Sequence, residues 1–251
     1  MMNDCGLSRR RIVTAGLLAA LPDLAPAGDL AGLVEPRMRL AASPGRRPAV
    51  ALTLDACPGR FDSRIARALI EARVPATIFA SGPWLRRNPD AVALLLSHPD
   101  LFGVQNHGAA HLPPVLGHRR VFGLAVAGDL EAVRREVTVG AADVRTATGV
   151  APVWYRAASG FYSPEALAAV RALGVAIAGY SLNADQGASL PAAAVGRRIA
   201  AAEGGDVIVA HINQPLRESG LGVIAGIAAL RRRGERFVRL DRLGAGDVAY
   251  G

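Results

Sequence analysis

Short apolar runs alternate with segments of helical spacing from residue 49 to residue 240, and this alternation limits the possible folds more than any other feature of the chain. Residues 49–54, Ala-Val-Ala-Leu-Thr-Leu, are nearly all apolar with no polar alternation, as expected of a strand covered on both faces. Residues 63–73 follow with Ile65, Leu69 and Ile70 on one helical face and Arg64, Arg67 and Glu71 elsewhere. The same reasoning predicts strands at 76–80, 102–105, 153–155, 175–178, 207–210 and 237–240, and helices at 89–97, 130–148, 164–173, 191–202 and 221–233. About seven β–α units in roughly 200 residues predict an α/β fold, a parallel sheet wrapped by helices, open or closed into a barrel.

Either architecture collects reactive groups at the carboxyl ends of its strands. Asp55 ends the first strand; Asn106, His107 and His111 follow the third; Arg156 follows residues 153–155. Asp185 lies after Tyr180-Ser181, and His211 ends residues 207–210. Three of the five histidines occupy such edges, whereas His98 and His118 read as surface or capping residues. Asp55, directly after an apolar run, is expected to be partly desolvated, which raises a carboxylate's pKa and suits a general base; a helix cap is the alternative. His107 and His111, four apart, can converge on one metal from a helical turn, or be structural. Arg156 can neutralise a carboxylate or anchor a substrate, or form an ordinary ion pair. His211 is a general acid or a core histidine bonded to a carbonyl.

The amino terminus reads as an address. Ser8-Arg9-Arg10-Arg11 precedes an apolar run at residues 12–21 and the small-x-small site Ala25-Pro26-Ala27. That order describes a secretory signal over residues 1–27, twin-arginine in type, and predicts a periplasmic or secreted protein. The run is too short to span a bilayer, and no later apolar stretch is long enough, so no stable membrane insertion is expected after signal removal. Residues 28–47, with scattered Pro, Gly and Arg, read as a linker, and 48–251 as the catalytic domain. Of the two cysteines, Cys5 would leave with the signal, so Cys57 has no intramolecular disulfide partner. The net charge of +8 becomes +7 when the signal's three Arg and two Asp are removed. Such a surface attracts anionic polymers, but no zinc-finger, helix-turn-helix or RNA-binding signature singles out nucleic acid.

Five segments, each after a strand, carry a resemblance. Thr53-Leu54-Asp55-Ala56-Cys57-Pro58-Gly59 is similar to a Thr-Phe-Asp-Asp-Gly-Pro segment, and Asn106-His107-Gly108-Ala109-Ala110-His111 to a two-histidine metal segment. Arg156-Ala157-Ala158-Ser159-Gly160-Phe161-Tyr162 is similar to Arg-Pro-Pro-Tyr-Gly, Ser181-Leu182-Asn183-Ala184-Asp185 to a segment ending Asp-Trp, and residues 207–211 to Leu-x-His. Together, over roughly residues 48–243, they resemble the polysaccharide deacetylase (NodB-homology, carbohydrate esterase 4-like) family. The resemblance implies a distorted (β/α)7 barrel and a hydrolase that removes acetyl groups, through carbon–nitrogen or ester bonds, from a cell-wall glycan or exopolysaccharide. It implies Asp55 as general base toward a metal-activated water, His107 and His111 as ligands of a divalent metal, zinc first, and His211 as general acid. It further implies that Arg156 holds Asp55, and that backbone N–H near Ser159 helps an oxyanion.

Two positions depart from the pattern. Ala56 stands where the family has a metal-binding Asp, and Leu182 where it has the carboxylate that orients the histidine. Asp62 is the candidate third ligand, with the N-cap of the following helix as its alternative role; Cys57 is a softer candidate that would be open to oxidation outside the cytoplasm. Whether Asp185 replaces the lost carboxylate is open. The competing functional readings are a metal-independent amide hydrolase on the same fold and a catalytically silent glycan-binding module.

Overall fold

The structure, a computed structural model, describes residues 30–42 and 49–251, so the expected signal lies outside the described residues. Strand β2 (Val50–Ala56) leads to α1 (Ser63–Glu71), and β3 (Ala76–Ala80) to α2 (Gly82–Arg87) and α3 (Pro89–Leu96). Next come β4 (Phe102–Asn106), the small hairpin of β5 (Arg120–Val121) and β6 (Leu124–Ala125), and the long helix α4 (Leu130–Thr148). The remaining units are β7 (Trp154–Tyr155), α5 (Pro164–Arg171), β8 (Ala176–Ile177), β9 (Leu182–Asn183), α6 (Ala192–Ala200), β10 (Val207–His211) and α7 (Ser219–Arg232).

The strands form one curled parallel sheet in the order β8-β7-β4-β3-β2-β10-β9, a distorted (β/α)7 barrel. A short strand, β11 (Phe237–Val238), pairs with the start of β2. Period-2 alternation divides β2 between two environments. Val50, Leu52, Leu54 and Ala56 join the core under the helices, while Ala51, Thr53 and Asp55 face the barrel interior. β10 divides likewise, Ile208 and Ala210 outward and Val207 and Val209 inward.

Helix limits follow from local chemistry. Asp129 caps α4 by accepting from the Ala132 N–H at 2.7 Å, and Gly149 ends it at φ 75°, where glycine carries no Cβ penalty. Helix α2 was not expected from the sequence; at six residues it carries too little pattern to be read.

The expected linker is corrected. Within residues 28–47, Met38–Leu40 form β1, antiparallel to β12 (Val248–Tyr250). Met38 is fully buried with Ala51, Phe79, Trp154, Val207 and Leu240, and its N–H bonds to the Tyr180 carbonyl. The segment therefore plugs the barrel interior beside the opening between β8 and β9. One methionine inside a Pro- and Arg-rich stretch gives no periodic signal, and only the tertiary fold shows its burial.

Candidate active site

Asp55 and His211 lie side by side. They are register partners on the adjacent parallel strands β2 and β10, at the carboxyl edge of the sheet. Asp55 is 6% exposed, and its Oδ1 accepts from Arg156 Nη1 at 2.9 Å. Arg156, 1% exposed, also donates to Thr53 Oγ1 at 2.7 Å and to the Gly179 carbonyl at 3.0 Å, and its guanidinium lies 4.3 Å from the centre of the Phe79 ring. The expectation of a raised Asp55 pKa is corrected. Burial pushes it up, but Arg156, His107 and His211 outweigh burial and hold it below 3.8. The carboxylate is thus kept ionised, with Oδ2 free of the arginine and 3.8 Å from His107 Nε2.

His107 and His111 do not share a helical turn. They belong to an irregular loop after β4, in which Gly108 has φ 93° and His111 φ 64°. The left-handed backbone at His111 costs on the order of 1–3 kcal/mol and must be over-determined by its surroundings. Glu136, buried on α4, does this by accepting from the Ala110 N–H at 2.9 Å and the Leu112 N–H at 3.1 Å. Burial raises the pKa of Glu136, held back by those backbone donors. Asn106 contributes from the other side, accepting from the Gly108 N–H and donating to the Val137 carbonyl. Gly140 lets α4 approach, since a Cβ there would collide with Asn106 Oδ1 and the Gly108 backbone. Glu136 was missed from sequence because it reads as one more charge on a helix.

The loop brings the two imidazoles to 4.8 Å between ring centres. His107 Nδ1 bonds to the Arg156 carbonyl at 2.9 Å; a carbonyl only accepts, so Nδ1 carries the proton and Nε2 presents its lone pair. Cys57 Sγ lies 3.5 Å from that Nε2. His111 Nε2 is buried without a hydrogen-bond partner among the described residues. Donor atoms of Cys57, His107 and His111 all lie within 4.8 Å of one another. An orphaned buried nitrogen beside a second imidazole and a thiol is a donor set that fits a divalent metal of borderline softness.

His211 and Asp185 form the other half. Asp185, fully buried, takes the His211 Nδ1–H on Oδ1 at 2.8 Å and the His211 backbone N–H on Oδ2 at 2.7 Å. Asp185 therefore fixes the orientation of the His211 imidazole, while Leu182 packs against the core. Burial lowers the His211 pKa, but Asp185 and Cys57 override it and raise it well above 6.5. For Cys57, burial raises the thiol, and His107, His111 and His211 bring it well below 9.0. Burial likewise lowers His107, with Asp55 and Cys57 raising it on balance.

Asp62 is the sequence candidate that the structure assigns elsewhere. Its carboxylate caps α1 through the Arg64 N–H and takes the Arg64 guanidinium at 2.8 and 2.6 Å. Both oxygens are engaged, and it is not part of the donor group. His98 bonds to the Leu94 carbonyl at the end of α3, and His118 is exposed. Ser159, with φ 66° and a buried hydroxyl that has no hydrogen-bond partner among the described residues, lies two residues beyond Ala157 in the loop that starts at Arg156. A groove of about 580 Å³ begins at Pro58 and Gly59, directly after Cys57, and is lined further by Pro83, Arg86 and Arg87.

The sequence matches the family model of polysaccharide deacetylase over residues 42–178. No curated protein sequence matches it. Among solved structures, a deacetylase determined with its substrate superposes with a TM-score of 0.65 at 21% identity, covering 84% of this chain and 97% of the other. A peptidoglycan deacetylase from Bacillus subtilis gives 0.63 at 18%, covering 80% and 91%. A CE4 family pseudoenzyme from Bacillus anthracis gives 0.64 at 17%, covering 79% of this chain and 66% of that one.

Proposed function

The chain belongs to the polysaccharide deacetylase family of hydrolases, and from that premise we propose that it releases acetate from an acetylated cell-wall glycan or exopolysaccharide, with Asp55 as base and His211 as acid. The observation that carries this reading is the in-register pair of Asp55 and His211, each locked by its own buried partner, beside the donors of His107 and His111. A module that only bound glycan would need neither lock.

A divalent metal, zinc by its donor preference, would be held by His107 and His111 and would supply Lewis-acid polarisation of the acetyl carbonyl and a lowered pKa of water. Asp55 Oδ2, the oxygen that Arg156 leaves free, takes a proton from the attacking water. Water oxygen bonds to the acetyl carbon and the carbon–nitrogen or carbon–oxygen bond to the sugar breaks. His211, with Nδ1–H committed to Asp185, gives the proton on Nε2 to the leaving nitrogen or oxygen. Arg156 positions Asp55 and keeps it ionised. Backbone N–H near Ser159 is the proposed oxyanion donor, and the arginine-lined groove is the proposed path of the glycan. In the described residues no helix is long and apolar enough to cross a membrane; export to the periplasm or beyond, by the twin-arginine-like signal, is part of the proposal.

The test is acetate release by zinc-loaded protein from acetylated chitooligosaccharides, peptidoglycan and O-acetylated polysaccharide. At least one is expected to be turned over, and His107→Ala with His111→Ala is expected to lose both bound metal and activity. Full activity of metal-free protein would favour the metal-independent alternative; no acetate from any substrate would favour the silent module.

The Asp185–His211 contact makes a separate prediction. An acid must be protonated, so activity is present below the His211 pKa and lost above it. Asp185 raises that pKa, so Asp185→Asn is expected to move the alkaline limb of kcat/KM to lower pH and leave the acid limb in place. An unmoved alkaline limb would mean that another group reports it.

A further inference from the structure

We propose that Cys57 is the third protein ligand of the metal, completing a Cys–His–His site that prefers a thiophilic divalent ion such as zinc. The proposal rests on the reading above only in requiring a metal at His107 and His111.

Strand parity provides the first ground. Ala56, at the position of the expected carboxylate, is fully buried in the core with Leu52 and Leu54. The next residue returns to the face of Thr53 and Asp55, and this puts the Cys57 sulfur against His107 Nε2 at 3.5 Å. The donor atoms provide the second. His107 Nε2 presents its lone pair to the Cys57 sulfur because Nδ1–H is committed to the Arg156 carbonyl, and His111 Nε2 is buried without a partner among the described residues. Among the described residues no other three Cys, His, Asp or Glu side chains bring donors together in this way.

The competing carboxylates are placed otherwise. Asp62 directs both oxygens to Arg64, and Asp55, with Oδ1 on Arg156 and Oδ2 3.8 Å from His107 Nε2, is not part of the donor group. A tetrahedral zinc ion with Zn–S ≈ 2.3 Å and Zn–N ≈ 2.0–2.1 Å keeps its donors roughly 3.3–3.6 Å apart. The observed set, with one pair at 3.5 Å and all within 4.8 Å, needs side-chain adjustments of about 1 Å and no movement of the strand. Binding converts the thiol to thiolate and releases its proton to solvent. Thiolate selects zinc over manganese and magnesium, which prefer carboxylate and water oxygen.

Cobalt(II) titration of the metal-free full chain, carrying Cys5→Ser so that Cys57 is the sole thiol, tests this without reference to activity. One equivalent is expected to bind with an intense near-ultraviolet thiolate-to-cobalt band. Cys57→Ser is expected to abolish the band and weaken zinc binding by more than the roughly 10–100-fold that loss of an outer partner costs. Cys57→Asp should retain metal without the band and shift preference toward manganese. Zinc is also expected to slow alkylation of Cys57 by iodoacetamide in the unsubstituted site, a readout that survives misfolding of the variants. One equivalent of cobalt with no thiolate band, or an alkylation rate indifferent to zinc, would overturn the role of Cys57 and leave a His107–His111 site standing. No metal bound by the parent would sink both readings. An acetyl adduct on Cys57 in metal-free protein would make it a nucleophile and not a ligand.

Discussion

Asp55→Asn is expected to lower kcat/KM for acetate release by roughly 10²-fold or more, the usual cost of removing a positioned proton-transfer group. Asparagine keeps the shape of the side chain and can still accept from Arg156, but it cannot take a proton from water. The substitution also leaves the guanidinium of Arg156 buried without its counter-charge, because among the described residues Asp55 is the only carboxylate paired with it. A lower melting temperature should therefore accompany the lost turnover, while metal content is unchanged because Asp55 is outside the donor group. Acetate release at the parent's rate by Asp55→Asn, on a substrate the parent clearly processes, would remove Asp55 from the reaction.

Arg156→Met is expected to have the largest effect on stability. Methionine fills much of the space, but Asp55 then stays buried and uncompensated, and Thr53 Oγ1 and the Gly179 carbonyl lose a donor. Breaking a buried ion pair by removing one partner costs about 3–5 kcal/mol, which for a domain of this size is a fall in melting temperature of roughly 6–20 °C. The sign of the pH dependence follows from Asp55. Its folded pKa is lowered by a balance in which burial opposes Arg156, so the pair's stabilisation is fully present above the ordinary value of 3.8 and is lost as pH falls through the folded value. The stability difference between parent and variant should shrink in that acid range. With the arginine gone, Asp55 loses the strongest of the influences that lower its pKa, so the acid limb of any residual activity should move up in pH. Arg156→Lys, which keeps charge without the planar fork, should recover part of the stability. An Arg156→Met protein as stable as the parent would mean that the pair is not the lock described here.

These predictions depend on features that were unevenly legible in the chain. Residues 130–148 could be read as α4 to the residue because Asp129 and Gly149 mark its ends chemically. The strand at 207–211 could be read from its apolar run, and so could the location of His211 at a sheet edge. Strand β9 at Leu182–Asn183 is not legible in the sequence, since two residues show no period. The low pKa of Asp55 could not be foreseen from its place after an apolar run: burial alone predicts the opposite sign, and the deciding charge is 101 residues away in Arg156.

The sequence by itself determined the parallel α/β class and the chain positions where chemistry would collect, because both follow from local periodicity and from the rule that strands present reactive groups at their carboxyl ends. It also fixed which side chains are able to do the work. The tertiary structure decided how those side chains pair: Asp55 with Arg156, His211 with Asp185, Asp62 with Arg64, and Glu136 beneath the histidine loop. It alone turned Ala56 into the core and Cys57 toward His107, and made a strand of Met38–Leu40. The physical reason is the same in each case. Burial, and the electrostatic balance that burial sets, are properties of neighbours brought together across long stretches of chain, and no window of sequence contains them.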